Sequence, residues 1–333
     1  MSDRHRLFIS RMLPGGEAPG APLAVLRAHA DIDVWEAGSP PTTEVLRARA
    51  AGCDGLLTML TERVDRALLD AIPRLRVVAN MAVGYDNVDV PACTARGVLV
   101  TNTPGVLTEA TADMAWALLL AAARRLPEGD RALRGGEWGP WHPTWLLGHR
   151  VSGATLGIVG PGRIGRAVAQ RAQGFGMRVL YSGRRPVTDF PGAFVPLDDL
   201  LARSEYVSMH VPLTPETERM CDAAFFASMR PDAIFVNTTR GGVVDQAALL
   251  EALRSGQIAG AGLDVMTPEP IPADDPLLAA PHLVVAPHLG SATLETRTAM
   301  AHLAVEGLLA GLEGRVPSNA VNPEALAAGR RRA

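Results

Sequence analysis

At 333 residues the chain has room for about two domains of ordinary size. Hydrophobic residues make up 47% and charged residues 20%, with 33 Gly and 26 Pro scattered between apolar runs, which excludes a disordered or collagen-like chain. The 32 basic residues against 35 acidic ones, a formal charge of −3, argue against a general nucleic-acid or membrane-surface binder.

The N-terminal apolar piece, Met1 to Ser10, is too short for a signal sequence, and no run approaches a membrane span. A first series of strand patterns follows: Leu7-Phe8-Ile9, Ile32-Asp33-Val34, Gly55-Leu56-Leu57, Arg76-Val77-Val78-Ala79 and Val98-Leu99-Val100. Amphipathic stretches such as Thr43 to Ala50 and Val64 to Ala71 lie between them. Short apolar runs separated by helical patterns predict a parallel sheet covered on both faces. A long apolar helix is expected over Leu107 to Ala123, then a turn-rich segment from Pro127 to Arg150 that carries Trp138, Trp141 and Trp145.

The second series is more regular. Its strands read Leu156-Gly157-Ile158-Val159, Arg178-Val179-Leu180-Tyr181, Tyr206-Val207-Ser208-Met209, Ala233-Ile234-Phe235-Val236, Ala261 to Val265 and Leu283-Val284-Val285-Ala286. About six strands alternating with helices is what a full dinucleotide fold needs. A further helix, Thr293 to Leu312, closes the pattern. The fold class is therefore α/β with two domains. A discontinuous one, 1–101 plus 291–333, is interrupted by an inserted one, 102–290. The run Arg330-Arg331-Arg332 reads as a solvated tail.

All the basic residues are Arg; the sequence contains no lysine. Schiff-base aldolases, pyridoxal-phosphate enzymes and Walker A phosphate loops are excluded, because each needs an amine. Tyr-x-x-x-Lys reductases and β-hydroxyacid dehydrogenases are excluded for the same reason. Cys53, Cys93 and Cys221 lie far apart, without C-x-x-C spacing or clustered His, so neither a metal site nor a disulfide framework is expected. A cytoplasmic location is the natural expectation.

Gly160-Pro161-Gly162-Arg163-Ile164-Gly165 is a G-x-G-x-x-G between a strand and a helix pattern. The first Gly makes the turn, the second lets a pyrophosphate approach the backbone, and the third lets helix pack on strand. At the end of the next strand a dinucleotide site that binds a ribose 2′-OH carries an acid. This chain instead reads Tyr181-Ser182-Gly183-Arg184-Arg185-Pro186. A hydroxyl and two guanidiniums suit a 2′-phosphate, so NADP(H) is expected over NAD(H).

Ligands of open α/β sheets bind beyond the carboxyl ends of the strands. There this chain places His210-Val211-Pro212, Asn237-Thr238-Thr239-Arg240, Asp264 and Pro287-His288-Leu289-Gly290-Ser291. Reduction of a 2-keto acid needs such types: a fixed cation for the carboxylate and an acid–base for the developing alkoxide. A carboxylate should orient the His, and Glu269 is best placed to do so. His142, His149, His210 and His282 read as structural or exposed, and Asp86 and Asn87 as loop-capping residues.

These residues make the chain resemble the D-isomer-specific 2-hydroxyacid dehydrogenases, and most closely their glyoxylate/hydroxypyruvate reductase branch. The likeness is carried by Val83-Gly84-Tyr85-Asp86, Gly160 to Gly165, Asn237 to Asp245, Gly262 to Pro270 and Pro287 to Thr293. It implies a flavodoxin-like substrate domain and a Rossmann domain. It also implies that Arg240 binds the keto acid, that His288 is the general acid–base and that Glu269 pairs with it. The amides of Val83 and Gly84 would take the carboxylate, with Ser291 near the substrate. Asp264 would hold the nicotinamide carboxamide. Pro212, Thr238 and Gly290 would line the cofactor, with Thr108 a further lining residue. The tryptophans match an arm that crosses to the partner of a homodimer, with Trp141 expected to reach the partner's site.

The expected reaction is NADPH-dependent reduction of glyoxylate and hydroxypyruvate to glycolate and D-glycerate. Another D-2-hydroxy acid, such as the product of 2-ketogluconate reduction, is the alternative. Formate dehydrogenase is disfavoured by Glu269, an acid where that enzyme has Gln. Phosphite dehydrogenase is disfavoured by Val83, where that enzyme has Lys. A dinucleotide-sensing scaffold is the remote reading.

Overall fold

The computed structural model describes residues 4–326, so the Arg330–Arg332 run lies outside the described residues. The chain divides into two units, Met1–Leu107 with Thr293–Ala333, and Thr108–Ala292. The changeovers fall at the first residue of one helix and the N-cap of another, a few residues beyond 101 and 290.

The first unit builds β1 (His5–Ile9), α1 (Pro22–His29), β2 (Ala30–Val34), α2 (Thr43–Ala50), β3 (Gly55–Thr58), α3 (Arg66–Ala71), β4 (Val77–Asn80), α4 (Val90–Ala95) and β5 (Leu99–Thr101). Its strands pair in parallel in the order β2-β1-β3-β4-β5, the flavodoxin-like order. Every residue of β3, β4 and β5 is buried, because cover on both faces demands continuous apolar runs. Thr42, Asp65 and Asp89 start α2, α3 and α4 by accepting from the amides of Val45, Leu68 and Ala92.

The second unit contains α5 (Thr108–Ala123), α6 (Leu126–Arg134), β6 (Thr155–Val159), α7 (Arg163–Ala172), β7 (Arg178–Ser182), β8 (Ala193–Phe194), α8 (Leu197–Arg203), β9 (Tyr206–Met209), α9 (Ala223–Ala227), β10 (Ile234–Asn237), α10 (Gln246–Arg254), β11 (Gly260–Leu263) and β12 (Leu283–Val285). The chain then returns through α11 (Leu294–Leu312) to the first unit. The sheet order is β12-β11-β10-β9-β6-β7-β8, all parallel, a Rossmann arrangement with one strand beyond the usual six. Successive strand residues alternate between two cores: Tyr206, Ile234, Val236 and Ile158 face one, Val207, Phe235 and Val159 the other.

Two expectations need correction. The second sheet has seven strands among the described residues, because β8 adds two exposed residues beside β7. The segment from Pro127 to Arg150 is turn-rich only after α6, whose first turn contains Pro127. Proline is tolerated there because first-turn amides have no helical partner.

Helix α11 lies against the sheet of the first unit through small residues. A Cβ at Gly311 would meet Val77 Cγ2 at 2.8 Å, and one at Gly307 would meet Thr101 Oγ1 at 2.8 Å.

Candidate active site

Strand order in the second unit reverses between β6 and β9, the position where a doubly wound sheet opens a crevice. The glycine-rich loop leaves β6 there. Gly160 has φ +100°, and a Cβ on it would lie 2.6 Å from the His210 carbonyl oxygen. A Cβ on Gly165 would lie 2.4 Å from the Gly160 carbonyl oxygen, so protein packing alone requires both glycines. Gly162 differs: nothing lies within 4 Å of the Cβ it lacks. It is the N-cap of α7 and supplies no side chain to the first-turn amides. Open space at an uncapped helix N-terminus fits a pyrophosphate. Within this segment Pro161, Ile164 and Arg166 are half-buried and Arg163 is exposed.

The turn after β7 packs directly on that loop. Ser182 is buried, and a Cβ on Gly183 would meet Pro161 Cδ at 2.7 Å. Arg184 and Arg185 follow, both exposed, with no carboxylate in the stretch from Tyr181 to Pro186. Two buried polar atoms face the same end of the sheet without a protein partner, Thr238 Oγ1 after β10 and His210 Nδ1 after β9. The other nitrogen of His210 lies 2.8 Å from Ser208 Oγ. Burial pushes the His210 imidazole down to about 3, so the ring is neutral. Pro212 is exposed, and its carbonyl accepts from Thr217 Oγ1 at 2.6 Å.

The exits of β10, β11 and β12 carry the titratable and charged groups. Arg240 is half-buried; its carbonyl accepts from Asn237 Nδ2 at 3.0 Å, and its Nη1 donates to the Thr239 carbonyl at 2.9 Å. Nδ1 of His288 donates to Glu269 Oε1 at 2.5 Å. That bond fixes the ring's orientation and leaves Nε2 for other work. His288 itself sits at φ 55°, a left-handed conformation that costs a non-glycine residue about 1 kcal/mol. Asp264 holds it there. The carbonyl of Asp264 accepts from the His288 amide at 2.8 Å, and its carboxylate accepts from the amides of Leu289 at 2.6 Å and Gly290 at 2.7 Å. Burial raises the Asp264 carboxyl above its ordinary value, opposed by those two amides. Gly290 is buried, Ser291 half-buried beside it, and Thr108 half-buried at the start of α5. Trp141, by contrast, is 85% exposed on the segment after α6.

In the first unit, the loop after β4 is held by its carbonyls. Asn102 Nδ2 donates to Val83 O at 2.8 Å and Asn80 Nδ2 to Gly84 O at 3.0 Å. Asn87 Nδ2 donates to the carbonyls of Met59 and Glu62 at 3.0 and 2.8 Å, the loop-fastening role expected of it. Among the described residues, no acceptor pairs with the Val83 or Gly84 amide. Sequence patterning does not reveal Asn80 and Asn102, since a side chain bonded to a distant carbonyl leaves no periodic signal.

A crevice built for a dinucleotide, with an oriented imidazole at another strand exit of the same sheet, defines an oxidoreductase of the nicotinamide-dependent class. Comparison with known proteins makes this specific. Residues 116–290 match the D-isomer specific 2-hydroxyacid dehydrogenase NAD binding domain, and the chain belongs to that family of enzymes. It is 51% identical over 324 residues to the glyoxylate reductase of Korarchaeum cryptofilum, covering 96% of each chain. Among solved structures it is similar to the TT0316 protein of Thermus thermophilus, with 48% identity, TM-score 0.89 and coverage of 95% of this chain and 99% of that one. It is also similar to the NADPH-dependent glyoxylate/hydroxypyruvate reductase of Sinorhizobium meliloti in complex with NADP and malonate. That match has 34% identity, TM-score 0.82, and coverage of 97% and 98% of the two chains.

Proposed function

We propose that this enzyme reduces glyoxylate and hydroxypyruvate to glycolate and D-glycerate, with NADPH as the preferred hydride donor. The observation that carries the reading is the His288–Glu269 pair, held at 2.5 Å on a strand exit of the dinucleotide-binding unit. The nicotinamide, when bound, supplies the hydride to the keto carbon. Arg240 binds the substrate carboxylate and polarises its carbonyl. As the carbonyl π pair moves onto oxygen, Nε2 of His288 gives that oxygen its proton. Glu269 keeps Nδ1 protonated and the ring aimed. The amides of Val83 and Gly84 would bind the substrate carboxylate, with Ser291 near the substrate.

Gly160 to Gly165 would hold the pyrophosphate, and Ser182, Gly183, Arg184 and Arg185 the 2′-phosphate. Pro212, Thr238, Asp264, Gly290 and Thr108 would line the remaining cofactor. The orphaned Thr238 hydroxyl and the open space at Gly162 support this placement.

Further parts of the reading concern assembly and setting. The exposed Trp138, Trp141 and Trp145 form an arm suited to a second copy of the chain, since large aromatics are favoured in interfaces. Sedimentation velocity should give twice the chain's 35.2 kDa, and a monomer would remove the homodimer from the reading. Three unpaired cysteines suit a reducing compartment, and no helix among the described residues is long and apolar enough to cross a membrane.

The deciding experiment is NADPH oxidation against a panel of 2-keto acids that includes glyoxylate, hydroxypyruvate and 2-ketogluconate. His288→Ala and Arg240→Ala serve as controls. Fastest turnover with 2-ketogluconate would move the substrate assignment. Wild-type rates from His288→Ala would overturn the mechanism.

A further inference from the structure

Glu269 stands on a stretch with little backbone support. Val265 and Met266 are buried, but Thr267, Pro268, Glu269 and Pro270 are all exposed. The two prolines bring no N–H with which to tie the stretch down. It is fastened from the side instead. Gln246, the first residue of α10, accepts from the Thr267 amide through Oε1 at 2.6 Å and donates through Nε2 to the Thr267 carbonyl at 2.7 Å. A primary amide is the side-chain group that offers an acceptor and a donor side by side in this way.

The neighbouring backbone leaves little freedom. A Cβ on Gly241 would lie 2.1 Å from the Met266 carbonyl carbon, so the turn after Arg240 is pressed against the start of the same stretch. The N-terminus of α10 is itself anchored. Asp245 accepts from the amides of Ala247 and Ala248 at 3.1 and 3.2 Å and pairs with Arg219. One chain of bonds therefore runs from the α10 N-terminus through Gln246 to Thr267. Two residues on, Glu269 meets His288 at 2.5 Å.

We propose that Gln246 is a positioning residue for the reaction: acting through the Thr267 backbone, it sets the reach of the Glu269 carboxylate to Nδ1 of His288. The proposal rests on the acid–base reading of His288 and Glu269 given above. Hydrogen bonds between exposed neutral groups add little to global stability, so this pair does its work locally. Displacement of Glu269 by a fraction of its 2.5 Å bond length is enough to release the imidazole.

The test is a double-mutant cycle read in kcat for NADPH-driven glyoxylate reduction. Gln246→Ala should lower kcat about tenfold while both KM values stay within about twofold and Tm within about 2 °C. In a Glu269→Gln background the same substitution should cost less than about twofold, because the group it positions is already disabled. Gln246→Glu keeps an acceptor for the Thr267 amide but turns an oxygen toward the Thr267 carbonyl. Its kcat relative to wild type should be low at about pH 8 and recover toward about pH 5, as a protonated carboxyl regains the donor. Wild-type kcat in Gln246→Ala, or equal losses in both backgrounds, would overturn the proposal and leave the acid–base reading standing. Wild-type kcat in the Glu269→Gln single variant would instead remove that reading, and the proposal with it.

Discussion

Asp264 and His288 are joined through the main chain and locked by a side chain. The His288 amide donates to the Asp264 carbonyl at 2.8 Å, and the Asp264 carboxylate takes the next two amides, those of Leu289 and Gly290. The loop can hold His288 in a left-handed conformation because those three bonds determine its path. Asp264→Ala should strand the two amides. The expected loss is about 2 kcal/mol of stability together with a roughly tenfold or greater drop in kcat. Urea unfolding and steady-state kinetics check both, and a variant with wild-type values in each would refute the locking role.

The turn after β7 makes a separate prediction about the cofactor. Converting Arg184 and Arg185 together to Ala removes the two guanidiniums proposed to bind the 2′-phosphate. The NADPH KM should rise about tenfold or more while the NADH KM stays within about twofold, since only one cofactor carries that phosphate. Equal changes for the two cofactors would show that these arginines do not discriminate.

Substitutions at the three loop glycines should separate by mechanism. Gly165→Ala drives a Cβ to within 2.4 Å of the Gly160 carbonyl oxygen, so it should lower Tm by several degrees. Gly162→Ala meets nothing within 4 Å and should leave Tm unchanged while raising the NADPH KM about tenfold or more. Thermal unfolding without cofactor, set beside kinetics, tests the contrast. A Gly162→Ala variant with an unaltered KM would contradict the pyrophosphate placement.

His210 links stability to pH. Its folded-state value is pushed down to about 3 by burial, against 6.5 for the free side chain. Below about pH 6.5 the unfolded chain binds a proton that the folded chain refuses, so stability falls as pH drops, by up to about 1.4 kcal/mol per unit. Between about pH 7.5 and 5 the wild type should therefore lose about 2 kcal/mol more than His210→Gln. Parallel stability profiles for the two proteins would show that the ring titrates freely.

The fold was legible where burial leaves a mark. Strands β3 to β6 and β9 to β11 are buried throughout, and each lies within a residue or two of the limits its sequence pattern predicts. Strand β8 escaped because Ala193 and Phe194 are both exposed and pair on one side only, leaving neither an apolar run nor an alternation. Helix α6 was masked by Pro127, which reads as a breaker unless its first-turn position is known. The glycine-rich loop and the residues at the strand exits were legible because strand ends in a doubly wound sheet are where ligands sit. The supports behind them were not. Gln246, Asn80 and Asn102 act on backbone carbonyls and amides of loops whose paths no local pattern specifies.

The insertion of one unit into the other separates the order of synthesis from the order of completion. Strands β1 to β5 leave the ribosome first, but α11, whose Gly307 and Gly311 fit against Thr101 and Val77, is made only after the whole Thr108–Ala292 unit. At about 5–20 residues per second, the apolar face of β4 and β5 waits roughly 10 to 40 s for its covering helix. The uninterrupted dinucleotide-binding unit can close its own sheet meanwhile. The nascent chain is therefore most exposed to misassociation through the part of the molecule that was made first.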